Sequence, residues 1–359
     1  MVQNAPPSSA FLFKAVVFLF RDPNFMRLIE PLGLLTGAAA AAAVSAGLAL
    51  PLQGGAFTLA RLIGQGAGPI IRAVDIPPVW RTEVLTCVRP QWSGLCWDRP
   101  AVMGILNVTP DSFSDGGQHA DPGRAIAAGL EMAAAGADIL DVGGESTRPG
   151  APAVSLTEEQ ARVVPVIRGL AAAGLRVSVD TRNAATMAAA LDAGAAIIND
   201  VSALAHDPAS ADLVASRGAD VILMHMRGVP ATMNECATYD DVAVQVAREL
   251  ADRVEIALQA GIARARIAID PGIGFAKTAI HNLELLTRLP ILLNLGLPIM
   301  VGVSRKSFIG KLSGEPNPMK RLSGSLAAGL FAVARGASIL RVHDVAETAQ
   351  ALRILAALG

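Results

Sequence analysis

Residues 102–108 read Val-Met-Gly-Ile-Leu-Asn-Val, an apolar run that ends in polar residues and leads into a loop rich in Asp, Ser and Gly. Similar short apolar runs recur along the chain, and Ala- and Leu-rich segments with helical periodicity lie between them, such as residues 124–135 and 239–260. The strand-like runs are Val102–Val108, Asp138–Val142, Arg176–Val179, Ala196–Ile198, Val221–Met224, Ile267–Ile269, Ile299–Val303 and Ser338–Val342.

This alternation of eight strands with helices over residues 102–359 predicts an α/β fold, the (β/α)8 TIM barrel, which occupies about 250 residues. Near-continuous apolar strands are typical of a parallel sheet that helices cover. The alternative is an open, doubly wound sheet. Such a sheet favours a G-x-G-x-x-G motif after its first strand, and none follows Val108.

The first 101 residues differ in character and are interpreted as an N-terminal extension of unknown role. Residues 31–60 contain no charged residue, and residues 32–50 form a nineteen-residue apolar stretch that includes six consecutive alanines. The stretch is long enough to cross a membrane, but its Gly, Ala, Ser and Thr content weakens that interpretation. We expect an Ala-rich, helical extension packed on the barrel, with membrane association or partner binding as the alternative.

Composition and charge exclude several classes of protein. Hydrophobic residues make up 52% of the 359 residues and charged residues 17%, which excludes a disordered chain. The net charge of -1 provides no overall basic field for a nucleic acid. The three cysteines, an odd number without metal-type spacing, predict reduced thiols and a cytoplasmic location.

Polar side chains lie at the predicted carboxyl ends of the strands, where a barrel of this type carries its active site. Asp180, Asn199, Asp270 and Lys306 mix acceptors and donors, as recognition of a polar heterocycle requires. Each alone has a simpler interpretation as a helix cap or core residue. Their coincidence at one end of the barrel predicts a site. His225 by itself is interpreted as a buried core histidine.

A second group of residues predicts an anion site. Arg341 and His343 follow the eighth strand, where barrels commonly bind phosphate, and Arg305 and Arg148 are further candidates. Asn107 and Asp111 offer oxygen ligands that suit Mg²⁺ beside a phosphorylated substrate. The residues together predict a ring-containing substrate with a phosphate or diphosphate group.

Five motifs, taken in order, closely resemble those of the bacterial dihydropteroate synthases, a pterin-binding TIM-barrel family. They are Met103–Gly117 (MGILNVTPDSFSDGG), Asp141–Gly150 (DVGGESTRPG), Asp270–Phe275 (DPGIGF), Ser304–Ser307 (SRKS) and Arg341–His343 (RVH). The resemblance covers residues 102–359, which we expect to form the pterin-binding domain, and leaves the extension unexplained. Ala276 stands where relatives often have Gly.

The resemblance implies condensation of 6-hydroxymethyl-7,8-dihydropterin diphosphate with 4-aminobenzoate to give 7,8-dihydropteroate and diphosphate, with Mg²⁺ as cofactor. It assigns the pterin to Asp180, Asn199, Met224, Asp270, Phe275 and Lys306. It assigns 4-aminobenzoate to Thr147, Arg148, Pro149, Ser304 and Lys306, and the diphosphate to Asn107, Arg341 and His343, with Asn107 as the metal ligand. The catalytic residues would be Asp180, Asp270, Lys306, Arg341 and His343.

Two other functions stay open at this point. A methyltetrahydrofolate-binding methyltransferase would use a similar pterin pocket but has no use for a diphosphate site, and a non-catalytic pterin-binding module would need neither mobile loops nor that site. The resemblance also implies a homodimer, and apolar faces at residues 326–333 and 349–358 are compatible with one.

Overall fold

The computed structural model describes residues 26–80, 82–87, 91–109, 121–145, 154–229, 232–233 and 235–358. The strands described there are β1 (Leu28–Leu35), β2 (Leu50–Leu52), β3 (Gly55–Ile63), β4 (Ala67–Arg72), β5 (Ala101–Asn107), β6 (Ile139–Gly143), β7 (Val177–Asp180), β8 (Ile197–Asp200), β9 (Asp220–Met224), β10 (Ile267–Asp270), β11 (Met300–Val301) and β12 (Ile339–Val342). The α-helices are α1 (Gly37–Ser45), α2 (Glu83–Thr86), α3 (Pro122–Ala135), α4 (Leu156–Ala172), α5 (Ala184–Asp192), α6 (Ser210–Arg217), α7 (Val242–Gln259), α8 (Ala279–Thr287), α9 (Ser307–Ser313), α10 (Leu322–Val333) and α11 (Val345–Leu358).

Strands β5–β12 form a single parallel sheet in the order β10-β9-β8-β7-β6-β5-β12-β11. The two ends of this sheet meet at a narrow seam, where Ile269 bridges Ile299 and the Ile269 N–H donates to the Pro298 carbonyl at 2.9 Å. Helices α3–α8 each follow one strand of β5–β10, α9 and α10 both lie between β11 and β12, and α11 follows β12. The TIM-barrel prediction is confirmed, and the observed strands begin and end within about three residues of the predicted runs.

The interior of the barrel is filled by side chains that point inward from alternate positions of the strands. Trp92 and Leu95 cap this layer at the amino-terminal end of the strands, and the Trp92 indole N–H donates to the Arg266 carbonyl at 3.0 Å. Both are buried. Residues of the extension therefore close the barrel at the amino-terminal end of its strands. The carboxyl-terminal end remains as the mouth.

The prediction of a helical extension is wrong for most of the described part. Strand β3 pairs antiparallel with β1 along one edge and with β2 and β4 along the other, so residues 28–72 form a four-stranded sheet. Helix α1, which contains the six alanines, spans only nine residues. None of the described helices is long and apolar enough to cross a membrane.

The physical reason lies in Pro31, Gly33 and Gly37. Pro31 is tolerated because β1 is an edge strand. It pairs with β3 on one side only, so the N–H that proline lacks is not needed for hydrogen bonds to a second neighbouring strand. Gly33 adopts a φ of +60°, and a Cβ there would lie 2.2 Å from the Thr58 hydroxyl, so this turn of the strand requires glycine. Gly37 has a φ of +56°, which separates β1 from α1. These breaks prevent residues 32–50 from forming one helix.

The sheet packs on the barrel next to the seam. Asn294, in the 3₁₀ segment Leu289–Leu295 that precedes β11, accepts a hydrogen bond from the Ile29 N–H at 3.0 Å and donates to the Ile29 carbonyl at 2.7 Å. Beside it, the buried carboxylate of Glu30 accepts from Arg288 at 2.6 Å and from Arg61 at 3.0 Å. The expectation that the extension packs on the barrel is confirmed for its described residues.

Candidate active site

The mouth of the barrel collects the polar residues that end its strands. Strand register places Asn107, Gly143, Asp180 and Asn199 at one level on four neighbouring strands. A Cβ at Gly143 would make ordinary van der Waals contacts, 3.6 Å from Asn107 Oδ1 and 3.9 Å from Asp180 Oδ2, so both oxygens lie close to the Gly143 backbone. Two side-chain oxygen atoms from separate strands therefore lie beside Gly143.

Arg341 on β12 lies at the centre of a buried polar network. Its Nε donates to Asp141 Oδ2 at 2.6 Å, and its Nη2 donates to Asp180 Oδ2 at 2.7 Å. Asn199 Nδ2 donates to the same Asp141 oxygen at 3.0 Å. Burial alone would lower the pKa of Arg341, but the carboxylates of Asp141 and Asp180 outweigh it and raise that pKa above its ordinary value. The guanidinium is thus a fixed positive charge.

Asp141 is fully buried, and its second oxygen, Oδ1, has no hydrogen-bond partner among the described residues. A buried acceptor without a donor is unfavourable by about 1–3 kcal/mol. The mouth therefore retains an unused acceptor next to Arg341.

Asp180 and Asp270, at the ends of β7 and β10, are two acceptors that both lie close enough to Arg341 to be affected by its charge. Burial raises the pKa of Asp180 to about 7, and the opposing charge of Arg341 limits that rise. Burial also raises the pKa of Asp270, against which Lys306 and the Gly272 N–H, at 2.7 Å from Oδ1, hold its charge. Carboxyl groups in such surroundings gain most from donors that a bound ligand brings.

Lys306 provides a cation opposite these acceptors. Its ammonium donates to the Ile273 carbonyl and lies 4.8 Å from the centre of the Phe275 ring, a cation–π contact. Burial lowers the pKa of Lys306 to about 8. Gly274 has a φ of +83°, and a Cβ there would lie 3.1 Å from the Lys306 side chain, so glycine is required for this close approach.

The loop after β11 directs consecutive side chains in different directions. Ser304 Oγ lies 3.0 Å from His343 Nδ1 and accepts from the His343 N–H at 3.2 Å. Arg305, with a φ of +60°, instead forms an ion pair with Asp344. Ser304 is thus a neighbour of His343, and Arg305 is engaged by a carboxylate rather than held open for an anion.

The model of the pterin-binding enzyme family matches residues 103–343, which contain every strand-end residue described above. The chain belongs to the dihydropteroate synthase family of pterin-binding enzymes. Dihydropteroate synthase from Neisseria meningitidis serogroup B is 50% identical over 269 residues, which cover 73% of this chain and 94% of that protein. The Escherichia coli K12 enzyme is 47% identical over 268 residues, which cover 74% and 94%.

Solved structures agree with this assignment. Dihydropteroate synthase from Xanthomonas albilineans with 4-aminobenzoic acid superposes with a TM-score of 0.70 at 51% identity, covering 74% of this chain and 96% of that one. The same enzyme in complex with 7,8-dihydropteroate gives a TM-score of 0.67 at 49% identity, covering 74% and 95%. The family prediction made from the motifs is confirmed.

The structure brings most of the predicted site residues to the mouth. Those placed there are Asn107, Asp180, Asn199, Met224, Asp270, Phe275, Ser304, Lys306, Arg341 and His343. Met224 is buried at the end of β9, beside Asp270 in the register. Thr147, Arg148, Pro149 and Asp111 lie outside the described residues. The roles of all these side chains stay predictions.

Sequence reasoning did not assign two residues of this region. Asp141 begins the second motif but receives no role there, although it holds both Arg341 and Asn199. Lys277 is the other, and although lysines are rarely buried it is only 7% exposed. Its position two residues after Phe275, directly after the DPGIGF motif and Ala276, is a signal that could have indicated it.

Proposed function

We propose that the mouth of the barrel is the site at which this chain joins 6-hydroxymethyl-7,8-dihydropterin diphosphate to 4-aminobenzoate. Dihydropteroate synthesis itself is confirmed by the family and by relatives that are half identical over nearly their whole length. One observation supports this location most directly. Two acidic acceptors lie next to two basic groups at the mouth, Asp180 beside Arg341 and Asp270 beside Lys306.

The acceptors suit the ring of the pterin. Its amino and ring N–H groups would donate to Asp180 and Asp270, and Asn199 supplies an amide beside them. Donation to a buried carboxyl group favours its charged form, so binding would lower the raised pKa values of both groups. Met224 and Phe275 would provide the apolar walls of the slot.

The cations suit the leaving group. In the reaction the bond between the pterin methylene carbon and the diphosphate oxygen breaks, and the electron pair leaves with diphosphate. Arg341 and His343 would stabilise the charge that develops on that oxygen. The amine nitrogen of 4-aminobenzoate then bonds to the methylene carbon and loses a proton to solvent. Ser304, which touches His343, and the loop residues Thr147, Arg148 and Pro149 would hold the 4-aminobenzoate.

Asn107 Oδ1 and Asp180 Oδ2 lie beside Gly143 and are oxygen atoms of the kind that Mg²⁺ accepts, and Asp180 Oδ2 is already bound by Arg341. The described residues contain no cluster of three or more His, Cys, Asp or Glu side chains able to hold a metal alone. Mg²⁺ keeps several waters and commonly binds through one or two protein oxygens and the substrate phosphates. We propose Asn107 as its protein ligand. Such an ion neutralises charge on the diphosphate.

Two further expectations belong to this proposal. We propose a homodimer formed through α10 and α11, on which the apolar side chains of Phe331, Ile354 and Leu358 are exposed. Light scattering of the purified chain tests it, since a monomer mass would contradict it. We also propose a cytoplasmic location. Cys87, Cys96 and Cys236 are free thiols, as expected for a reducing compartment.

The assay uses purified protein, the dihydropterin diphosphate, Mg²⁺ and labelled 4-aminobenzoate, with labelled dihydropteroate as the readout. Asp270→Ala is expected to lower kcat/KM by about 5- to 150-fold, because the pterin donors lose a buried partner worth about 1–3 kcal/mol. Glu131→Ala, which removes an exposed carboxylate on α3, serves as the control and should keep full activity. Unchanged kinetics of Asp270→Ala would reject the assigned location.

A further inference from the structure

A buried lysine lies behind the proposed substrate site and has no role in the reaction described above. Lys277 follows β10, and its Nζ donates to the Phe275 carbonyl at 3.0 Å. The same Nζ lies 3.0 Å from His225 Nδ1. Burial lowers the pKa of Lys277 to about 7, with the charge of Asp270 opposing that shift. In either protonation state the nitrogen retains N–H donors for both partners.

The partners of His225 determine which atoms donate and which accept in this series of hydrogen bonds. Its Nε2 lies 2.9 Å from Glu249 Oε2, and Arg227 holds the same carboxylate with hydrogen bonds of 3.1 and 3.2 Å. Burial disfavours the ionised form of Glu249, but hydrogen bonds from His225 and Arg227 outweigh it and lower its pKa to about 2. An ionised carboxylate only accepts, so Nε2 carries the proton.

His225 is neutral as well, because burial lowers its pKa to about 4. A neutral imidazole with its proton on Nε2 accepts at Nδ1, and therefore Lys277 is the donor. The hydrogen bonds therefore form one continuous series from the Phe275 carbonyl through Lys277 and His225 to Glu249 on α7. Arg227, which binds Glu249, also stacks over the Tyr239 ring at 3.9 Å, and this contact helps to hold the Glu249 end of the series in place.

The hydrogen bond from Lys277 to the Phe275 carbonyl helps to set the shape of the loop between β10 and α8. Lys306 holds the Ile273 carbonyl, Lys277 holds the Phe275 carbonyl, and Asn282 Oδ1 accepts from the Gly274 N–H between them at 2.7 Å. Ala276 has a φ of +48°, a conformation that is unfavourable for a residue with a side chain. Surrounding bonds must therefore hold the loop in this strained form.

We propose that Lys277 is a positioning residue that holds Phe275 and, through it, the contact of Phe275 with Lys306 in the orientation that the substrate requires. It acts from behind the loop and touches no reacting atom. The inference rests on the proposed function, since Phe275 and Lys306 are residues of the proposed substrate site. It predicts that the effect of Lys277 on catalysis passes through the Phe275 side chain.

A double-mutant cycle tests this. Kinetics are measured for the full chain and for Lys277→Met, Phe275→Ala and the double variant, with both substrates varied. Lys277→Met is expected to lower kcat/KM about tenfold, mainly through KM. In the Phe275→Ala background the same change should cost less than twofold, because the ring that Lys277 positions is gone. Lys311→Met, which removes an exposed lysine on α9, is the matched control and should change nothing.

Equal losses in both backgrounds would overturn the inference, since Lys277 would then act by another route. Lys277→Gln keeps an N–H donor, so it is expected to recover part of the lost activity, whereas a purely structural loss would not follow the donor. Thermal unfolding of each variant identifies any that fails to fold, in which case the cycle is run with Lys277→Gln. If the wild-type chain makes no dihydropteroate, the proposed function is refuted instead. The same double-mutant cycle is then measured from the affinity of each variant for 6-hydroxymethylpterin, determined by calorimetry.

Discussion

Replacing Glu30 by Gln tests how the extension is attached to the barrel. The Glu30 side chain is 2% exposed and accepts from Arg288 on the barrel and from Arg61 on β3. Gln keeps the volume but removes the charge and one acceptor. Breaking a buried ion pair by removing one partner costs about 3–5 kcal/mol.

The expected loss for this site is smaller than that range. Arg288 retains Asp241 at 2.9 Å and Glu284 at 2.8 Å, so its charge is not left alone, and Arg61 is one-third exposed and can turn to water. One hydrogen bond to a charged group is worth about 1.5–3 kcal/mol. We therefore expect Glu30→Gln to lower the free energy of unfolding by about 2–3 kcal/mol.

The matched control is Glu284→Gln, because Glu284 binds the same guanidinium at a similar distance but is 39% exposed. An exposed pair of this kind contributes about 0.2–1 kcal/mol. Urea unfolding followed by circular dichroism compares the two variants with the wild-type chain. If the sheet unfolds before the barrel, the loss will appear in the first transition. Equal losses for the two variants, within about 0.5 kcal/mol, would refute the reasoning that burial distinguishes the carboxylates.

Two further predictions concern the site. Ala276→Gly should raise the free energy of unfolding by about 0.5–1 kcal/mol, because relief of the unfavourable φ of +48° exceeds the entropy that Gly adds to the unfolded chain. The control is Ala334→Gly, which should destabilise the protein because Ala334 has an ordinary φ of -60°. Thermal unfolding of the two variants distinguishes these outcomes. Asp180 has its pKa raised to about 7 in the folded chain, so the stability it contributes is complete below about pH 4 and is lost as the pH rises through 7. The unfolding free energy of the wild-type chain minus that of Asp180→Asn should therefore fall between pH 4 and pH 7, by at most about 4 kcal/mol, and a rise over that interval would contradict the assignment.

The sequence predicts the barrel well because each of its strands is a local pattern. A short apolar run bounded by polar residues and followed by a helix identifies a strand without knowledge of its partner, and the fold then brings the strand ends together. Asp180, Asn199, Asp270 and Arg341 follow from that logic, since each ends a predicted strand.

The sheet of the extension follows no such local pattern. Strand β1 pairs with β3, about thirty residues later, and its hydrogen bonds depend on that distant partner. The apolar composition of residues 32–50 suits a buried sheet as well as a helix, and within this stretch only Gly37–Ser45, which include the six alanines, form the expected helix. Lys277 escaped prediction for a related reason. Its burial depends on His225, 52 residues away, and no property of lysine itself indicates it.

The attachment of β1 through Asn294 has a consequence for the evolution of this chain. The hydrogen bonds between Asn294 and Ile29 join the extension to the segment that enters β11, beside the single bridge that closes the barrel. Among chains that carry such an extension, residues of β1 and of segment Leu289–Leu295 should therefore change together. In chains without the extension, position 294 is released from this constraint, so loss of Asn294 should accompany loss of the sheet.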